Sequence, residues 1–229
     1  MKSKKDISQF YDEYVDNQKK MAYNERHICL YKKLKQLGLN HNSSILEIGC
    51  GIGVISSLIA KTVTSGKIIS LDISPKSIAD AKGLGIKNAE FIVSDAAAFS
   101  FEKTKFDFIT LFDVLEHIPI DQHGEVFHNI AKHMNNETVL FINIPNPLYL
   151  EYIIQNRPQL LQIIDQPLPA DLIMKNAYNS SLELFFFQTH SVFVENDYQM
   201  MLFRKKAPFK EKAVKESITK NFLHRILYR

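Results

Sequence analysis

With 229 residues, 45% of them hydrophobic, the chain is long enough to bury one sizeable α/β core and too short for several. A net charge of +3 is too small by itself to mark a nucleic-acid binder, and two cysteines, Cys29 and Cys50, cannot build a disulfide framework. The polar start Met1-Lys-Ser-Lys-Lys-Asp6 lacks an apolar signal core, and no run approaches the roughly 20 residues of a membrane span. A reduced, cytoplasmic setting is therefore expected.

In chain order, Asp6 to Leu37 reads as helical, with Ile28, Leu30, Tyr31, Leu34 and Leu37 at roughly helical spacing. Gly38 stops the pattern and His41–Ser44 is a loop. Five apolar runs follow, alternating with amphipathic segments: Ile45–Ile48, Lys67–Leu71, Glu90–Val93, Phe106–Phe112 and Thr138–Ile144. Helices are expected from Gly53 to Lys61, from Ser74-Pro75 onward and over Glu125–His133, since proline suits a first helical turn. Strands alternating with helices in this way imply a Rossmann-like, doubly wound and mostly parallel sheet with helices on both faces.

The last third differs. Leu182–Val194 and Tyr198–Phe203, separated by the turn-like Glu195-Asn196-Asp197, read as an antiparallel hairpin that completes a seven-stranded sheet. Between Pro145 and Ser181 lies a long, proline-interrupted segment of the kind that carries specificity. The expected organisation is an N-terminal helical cap over 1–42, a main domain over 43–205 with the 145–181 insertion, and a tail over 206–229. From Arg204 on, lysines and arginines far outnumber Glu211 and Glu216 and interleave with Phe209, Val214, Ile218, Phe222, Leu223, Ile226 and Leu227. That pattern fits a basic amphipathic helix for weak membrane-surface or protein contact, or a solvated charged face.

Chemistry concentrates at Ile45-Leu-Glu47-Ile-Gly49-Cys50-Gly51-Ile-Gly53. A strand, a glycine turn and a helix N-terminus let backbone approach a ligand and present free N–H groups to it. The spacing is Gly-x-Gly-x-Gly, whereas the dinucleotide fingerprint requires Gly-x-Gly-x-x-Gly. Glu47 precedes the turn, and Asp72, Asp95 and Asp113 each close a later strand, where ligands of open α/β sheets sit. One such acid would usually be a solvated strand end. Four at four strand ends mark a site.

This pattern resembles the class I S-adenosylmethionine-dependent methyltransferases, by motif over Ile45 to Ile144 and by element order to the final hairpin. Asp113-Val114-Leu115-Glu116-His117 is similar to the Val-Leu-Glu-His motif of small-molecule members. The resemblance implies S-adenosyl-L-methionine as cofactor, held by Glu47, Gly49, Cys50, Gly51, Gly53, Asp72, Ile73, Asp95, Ala96, Asp113 and Val114. It places Asp72 at the ribose and Asp95-Ala96 at the adenine, with Glu47 and Asp113 as negative charge near the cationic donor. The implied reaction is methyl transfer to a hydroxyl or amino group of a small polar molecule. A looser likeness of the 145–181 segment to sugar-modifying enzymes adds a sugar or glycan precursor as candidate acceptor.

His117 reads either as a general base or as a motif histidine that orients the cofactor loop. Asp165 and Gln166 are either solvated at a helix end or hydrogen-bonding groups for the acceptor, to which Asn143 and Asn146 could contribute. Phe10–His27, with Phe10, Tyr11, Tyr14 and Tyr23, forms either a lid with aromatic faces toward the sulfonium or a helix packed on the sheet. His123, His128 and His133 do not share one helical face and read as surface residues, so no metal site is expected. His190 reads as a half-buried strand residue.

Two rival readings remain. A nucleic-acid amino-methyltransferase would carry an Asp/Asn-Pro-Pro-Tyr/Phe segment where this chain has Asp113-Val-Leu-Glu116, so nucleic acid is disfavoured as a partner. A non-catalytic cofactor-binding scaffold is opposed by the complete set of strand-end acids. Oligomeric state has no signature in the sequence.

Overall fold

The computed structural model describes residues 3–21, 23–102, 104–209 and 211. Two helices precede the sheet, α1 (Lys4–Met21) and α2 (Glu25–Gln36), in place of the single helical stretch expected over Asp6–Leu37. The chain breaks at Asn24, which caps α2: Asn24 Oδ1 accepts from the His27 N–H at 3.4 Å, and His27 Nδ1 accepts from the Asn24 N–H at 3.1 Å. This is a capping box with histidine in the position usually held by glutamate or glutamine. Burial, aided by the neighbouring Arg26 charge, pushes the His27 pKa down to about 4, which keeps Nδ1 free to accept.

The sheet forms from β1 (Ser44–Ile48), β2 (Lys67–Asp72), β3 (Ala89–Val93), β4 (Phe106–Phe112), β5 (Met134–Pro145), β6 (Leu182–His190) and β7 (Tyr198–Lys205). Its order is β3-β2-β1-β4-β5-β7-β6. The first five strands run parallel, and β7 enters antiparallel between β5 and β6. The seven-stranded Rossmann-like sheet with a C-terminal antiparallel hairpin therefore stands as expected. Strand order reverses between β1 and β4, the point at which open α/β sheets leave a crevice for ligands.

Helices α3 (Val54–Ala60), α4 (Pro75–Gly83), α5 (His123–Lys132), α6 (Pro147–Asn156) and α7 (Ala170–Asn179) complete the fold. Side chains alternate across the strands. Ile45, Ile68, Phe108 and Phe141 pack with α2 and α3 through Leu30, Leu34, Leu58 and Ile59. Leu46, Ile69, Ile109 and Ile142 point the other way, to Phe127 and Ile130 of α5 and Ile173 of α7. The α4 helix begins at its proline, with Ser74 Oγ accepting from the Ser77 N–H at 2.9 Å.

Two expectations need correction here. The fifth strand begins at Met134 rather than Thr138, across a register shift in which Thr138 Oγ1 donates to the Phe106 carbonyl at 2.5 Å. Of the three histidines expected on the surface, only His128 is exposed; His123 and His133 are buried. Their ring nitrogens meet backbone carbonyls instead of water: His123 Nε2 those of Leu115 and Ile118, His133 Nδ1 that of Asn129. His190 is half-buried as expected, with Nε2 2.8 Å from Asn143 Oδ1. The amphipathic tail expected over 206–229 lies, at residue 210 and from residue 212 on, outside the described residues. No described helix is long and apolar enough to cross a membrane.

Candidate functional site

The glycine turn is built around Leu71 and Asp72. The Gly49 and Cys50 N–H groups both donate to the Leu71 carbonyl, at 2.7 and 2.8 Å, and the Gly51 N–H donates to Asp72 Oδ2 at 2.8 Å. Gly49 has φ +75°, and a Cβ there would fall inside the Val114 side chain. Gly53 has another role: it caps α3, and a Cβ would press on Leu84, Ala81 and Phe91. It is the glycine of closest helix packing, and it does not line the cavity described below.

Glu47 sits behind the turn. It is 4% exposed and accepts hydrogen bonds from Ser56 on α3 and Ser70 on β2, tying three elements together. Burial outweighs those bonds and pushes its pKa up to about 7. Asp72 accepts from Gly51 with one oxygen and from the Ser74 N–H with the other, at 2.9 Å. Each carboxylate oxygen can accept two bonds, so lone pairs remain toward the cavity.

Asp113 follows β4 in a left-handed conformation, φ +54°. Its carboxylate is ion-paired with Arg26 of α2, whose Nη1 also donates to the Tyr198 hydroxyl at 3.3 Å. Burial opposes the Arg26 charge, but Asp113, Tyr198 and Glu116 together outweigh it and hold the guanidinium above its ordinary pKa. Arg26 was not singled out from sequence, where one arginine in a helical run carries no signal. Asp95, at the other end, is paired with Lys4 of α1 at 2.5 Å.

These groups line a cavity of about 510 Å³ at the strand ends. Among the sequence-derived donor residues, Glu47, Gly49, Cys50, Gly51, Asp72, Ile73, Asp95, Ala96, Asp113 and Val114 all line it. Its roof is α1, whose Lys4, Ile7, Tyr11, Tyr14, Gln18 and Met21 face inward at helical spacing. Polar bonds hold the roof down: Ser8 Oγ donates to the Ile73 carbonyl at 3.0 Å, and Asp12 Oδ1 accepts from Ser74 Oγ and the Lys76 N–H at 2.5 and 3.0 Å. Lys19 pairs with Asp80 of α4 at 2.9 Å. Of the four aromatics expected in a lid, Tyr11 and Tyr14 line the cavity and Phe10 and Tyr23 do not.

His117 lines the cavity beyond Asp113, in a short 3-10 turn over Leu115–His117. Its Nδ1 lies 2.7 Å from the Ile164 carbonyl and 3.1 Å from Asp165 Oδ1, and Glu116 Oε1 is 3.8 Å from Nε2. Burial alone would lower its pKa, but Glu116 and Asp165 outweigh it and raise it to about 9. Burial also pushes Glu116 up, to about 8.

The four residues expected at the acceptor stand elsewhere. Asp165 is engaged by His117 and by the Gln162 N–H at 2.5 Å. Gln166 Nε2 donates to the carbonyls of Glu116 and Ile118, at 3.2 and 2.8 Å. Asn143 is fully buried against His190, and Asn146 caps α6 through the Leu148 N–H. None of the four lines the cavity, because each satisfies nearby backbone or side-chain groups first. Tyr14, Tyr149, Leu160, Gln162, Phe193 and Tyr198 line the cavity as well.

The residues present fit S-adenosyl-L-methionine. The turn leaves no room for a Cβ at Gly49, Asp72 has acceptor capacity, and the half-buried Arg26 offers a cation at the cavity wall. Among solved structures, the chain is similar to N-methyltransferase NodS of Bradyrhizobium japonicum bound to S-adenosyl-L-homocysteine (TM-score 0.67, 17% identity, 87% of this chain and 98% of that one). It is also similar to an S-adenosylmethionine-dependent methyltransferase of Clostridium acetobutylicum (TM-score 0.66, 14% identity, 87% and 98%). At these identities the likeness is one of fold.

Among curated proteins it is 41% identical over 101 residues to malonyl-acyl-carrier-protein O-methyltransferase 1 of Ilyobacter polytropus, 43% of this chain and 35% of that protein. It is 32% identical over 96 residues to demethylmenaquinone methyltransferase of Lactococcus lactis, 40% and 38%. The chain thus spans well under half the length of these curated relatives. A family profile described as a methyltransferase domain matches residues 18–193. The chain belongs to that methyltransferase-domain family, with a Rossmann-like fold like that of solved S-adenosylmethionine-dependent methyltransferases.

Proposed function

We propose that this protein transfers the methyl group of S-adenosyl-L-methionine to a hydroxyl or amino group of a small molecule with a flat or apolar body. The carrying observation is one continuous cavity with a glycine-and-acid donor end and an aromatic acceptor end under a single helical roof. Bound at the donor end, the cofactor supplies an electrophilic methyl group on a sulfonium. Gly49–Gly51 would hold its methionine portion, Arg26 its carboxylate, Asp72 its ribose hydroxyls, and Asp95 with Ala96 its adenine. The α1 roof excludes water, and Tyr14, Tyr149 and Tyr198 orient the acceptor. Those are the chief services an in-line displacement needs.

His117, held near pKa 9, carries a proton at neutral pH and serves the acceptor first as a hydrogen-bond donor. The expected sugar or glycan acceptor is favoured less, because Asp165 and Gln166 are engaged away from the cavity. Relatives named for quinone and malonyl substrates support a small-molecule acceptor of broader kind. A cytoplasmic setting rests on the free thiols of Cys29 and Cys50.

Calorimetry with S-adenosyl-L-homocysteine, then a labelled-donor screen of small phenols, quinols, amines and nucleotide sugars, tests the reading. Absence of cofactor binding would refute it. Asp72→Ala should weaken binding by the value of a charge-assisted bond, about 1.5–3 kcal/mol, or roughly 10- to 150-fold. Unchanged affinity would remove Asp72 from the ribose.

A further inference from the structure

The segment after α6 wraps the turn that carries His117. The Gln166 N–H and Nε2 both donate to the Glu116 carbonyl, at 3.1 and 3.2 Å, and Nε2 also reaches the Ile118 carbonyl. The Ile164 carbonyl and Asp165 Oδ1 converge on His117 Nδ1, while the Gln162 N–H fixes the other Asp165 oxygen. Leu160 and Gln162, from the same segment, line the acceptor end of the cavity. One stretch of chain therefore both shapes the acceptor wall and grips the histidine.

Two oxygen acceptors on Nδ1 require that nitrogen to carry a proton, which leaves Nε2 as the variable position. Nε2 has no hydrogen-bond partner among the described residues; its nearest charged neighbour is Glu116 Oε1 at 3.8 Å. Across the ring stands Tyr11 of the roof, 6.2 Å between centroids, with a buried hydroxyl that has no hydrogen-bond partner among the described residues. Glu116 and Asp113 are the remaining charges acting with Asp165 around the imidazole.

We propose that Asp165 is a positioning residue for His117: together with the Ile164 carbonyl it holds the Nδ1–H form and leaves Nε2 to meet the acceptor's nucleophile. Resting on the methyl-transfer reading above, this gives the proline-rich segment a task apart from direct substrate contact. Below its pKa His117 presents Nε2–H to the acceptor oxygen or nitrogen, and above it the same geometry presents a lone pair. Asp165 sets the orientation in both states and favours the first.

The test uses the full chain with 15N-labelled histidine, read by NMR across pH. The His117 signal is assigned by its loss in His117→Gln. In Asp165→Asn the His117 pKa should fall from about 9, part of the rise remaining with Glu116, and the share of the Nδ1–H tautomer in the neutral ring should fall, the Ile164 carbonyl still holding some of it. Asp165→Glu should restore much of both. Denaturation midpoints and S-adenosyl-L-homocysteine affinity are measured on the same proteins. A His117 pKa and tautomer unchanged in Asp165→Asn overturn the proposal, whether or not stability falls. Loss of cofactor binding in the wild-type protein would instead overturn the function and leave the histidine result readable.

Discussion

Gly49→Ala isolates the closest approach in the donor site. An L residue at φ +75° carries about 1–2 kcal/mol of left-handed strain. The new methyl would also overlap Val114 Cγ2 and stand 3.1 and 3.2 Å from Cγ1 and Cβ. Valine is stiff at χ1, so the clash is relieved by backbone movement, an overpacking cost of about 1–3 kcal/mol. Together these give about 2–5 kcal/mol, a large part of the 5–15 kcal/mol that holds a typical domain. Urea denaturation measures the sum and a double-mutant cycle with Val114→Ala separates it. The double mutant should recover the overpacking share and keep the strain. Wild-type stability in Gly49→Ala, or strict additivity in the cycle, would refute the assigned contact.

Glu47→Gln should flatten a pH dependence. A folded pKa of about 7 against an ordinary 4.5 means the folded state binds the extra proton between those values. Stability is then full below about pH 4.5 and is lost as pH rises toward 7, by roughly 3 kcal/mol at 1.36 kcal/mol per pH unit. Denaturation midpoints of wild type and Glu47→Gln should converge or diverge only inside that window; parallel curves would remove Glu47 as the titrating group. Arg26→Met should leave Asp113 buried without its partner and lower stability by about 3 kcal/mol, toward the low end for buried pairs because Arg26 is 26% exposed. The loss should shrink as pH falls and Asp113 takes up a proton, and a loss independent of pH would point to packing instead.

How much of this was legible in the sequence depended on whether a residue's role was set by its position along the chain. The strands followed from apolar runs such as Ile45–Ile48 and Phe106–Phe112 between turn signals. Strand-end acids follow the same logic, and Asp72, Asp95 and Asp113 line one cavity. The Asn24 break was hidden because histidine completed its capping box. The α1 roof was partly hidden because Lys4, Ile7, Tyr11, Tyr14, Gln18 and Met21 form a stripe by period but not by hydropathy. Asp165 and Gln166 show the other boundary: sequence could place them near the chemistry, yet only the fold decides which way a side chain in a long loop turns.

The attachment of α1 has a consequence for its response to salt. Its ties to the body include the ion pairs Lys4–Asp95 and Lys19–Asp80 and the bonds of Asp12 and Ser8, groups near water rather than deep in the core. Exposed pairs are each worth at most about 1 kcal/mol and are screened by salt. The α1 helix also buries Ile7 and Val15, an apolar contact that salt does not weaken. Raising the ionic strength should therefore loosen the polar ties of the roof while the apolar contact holds.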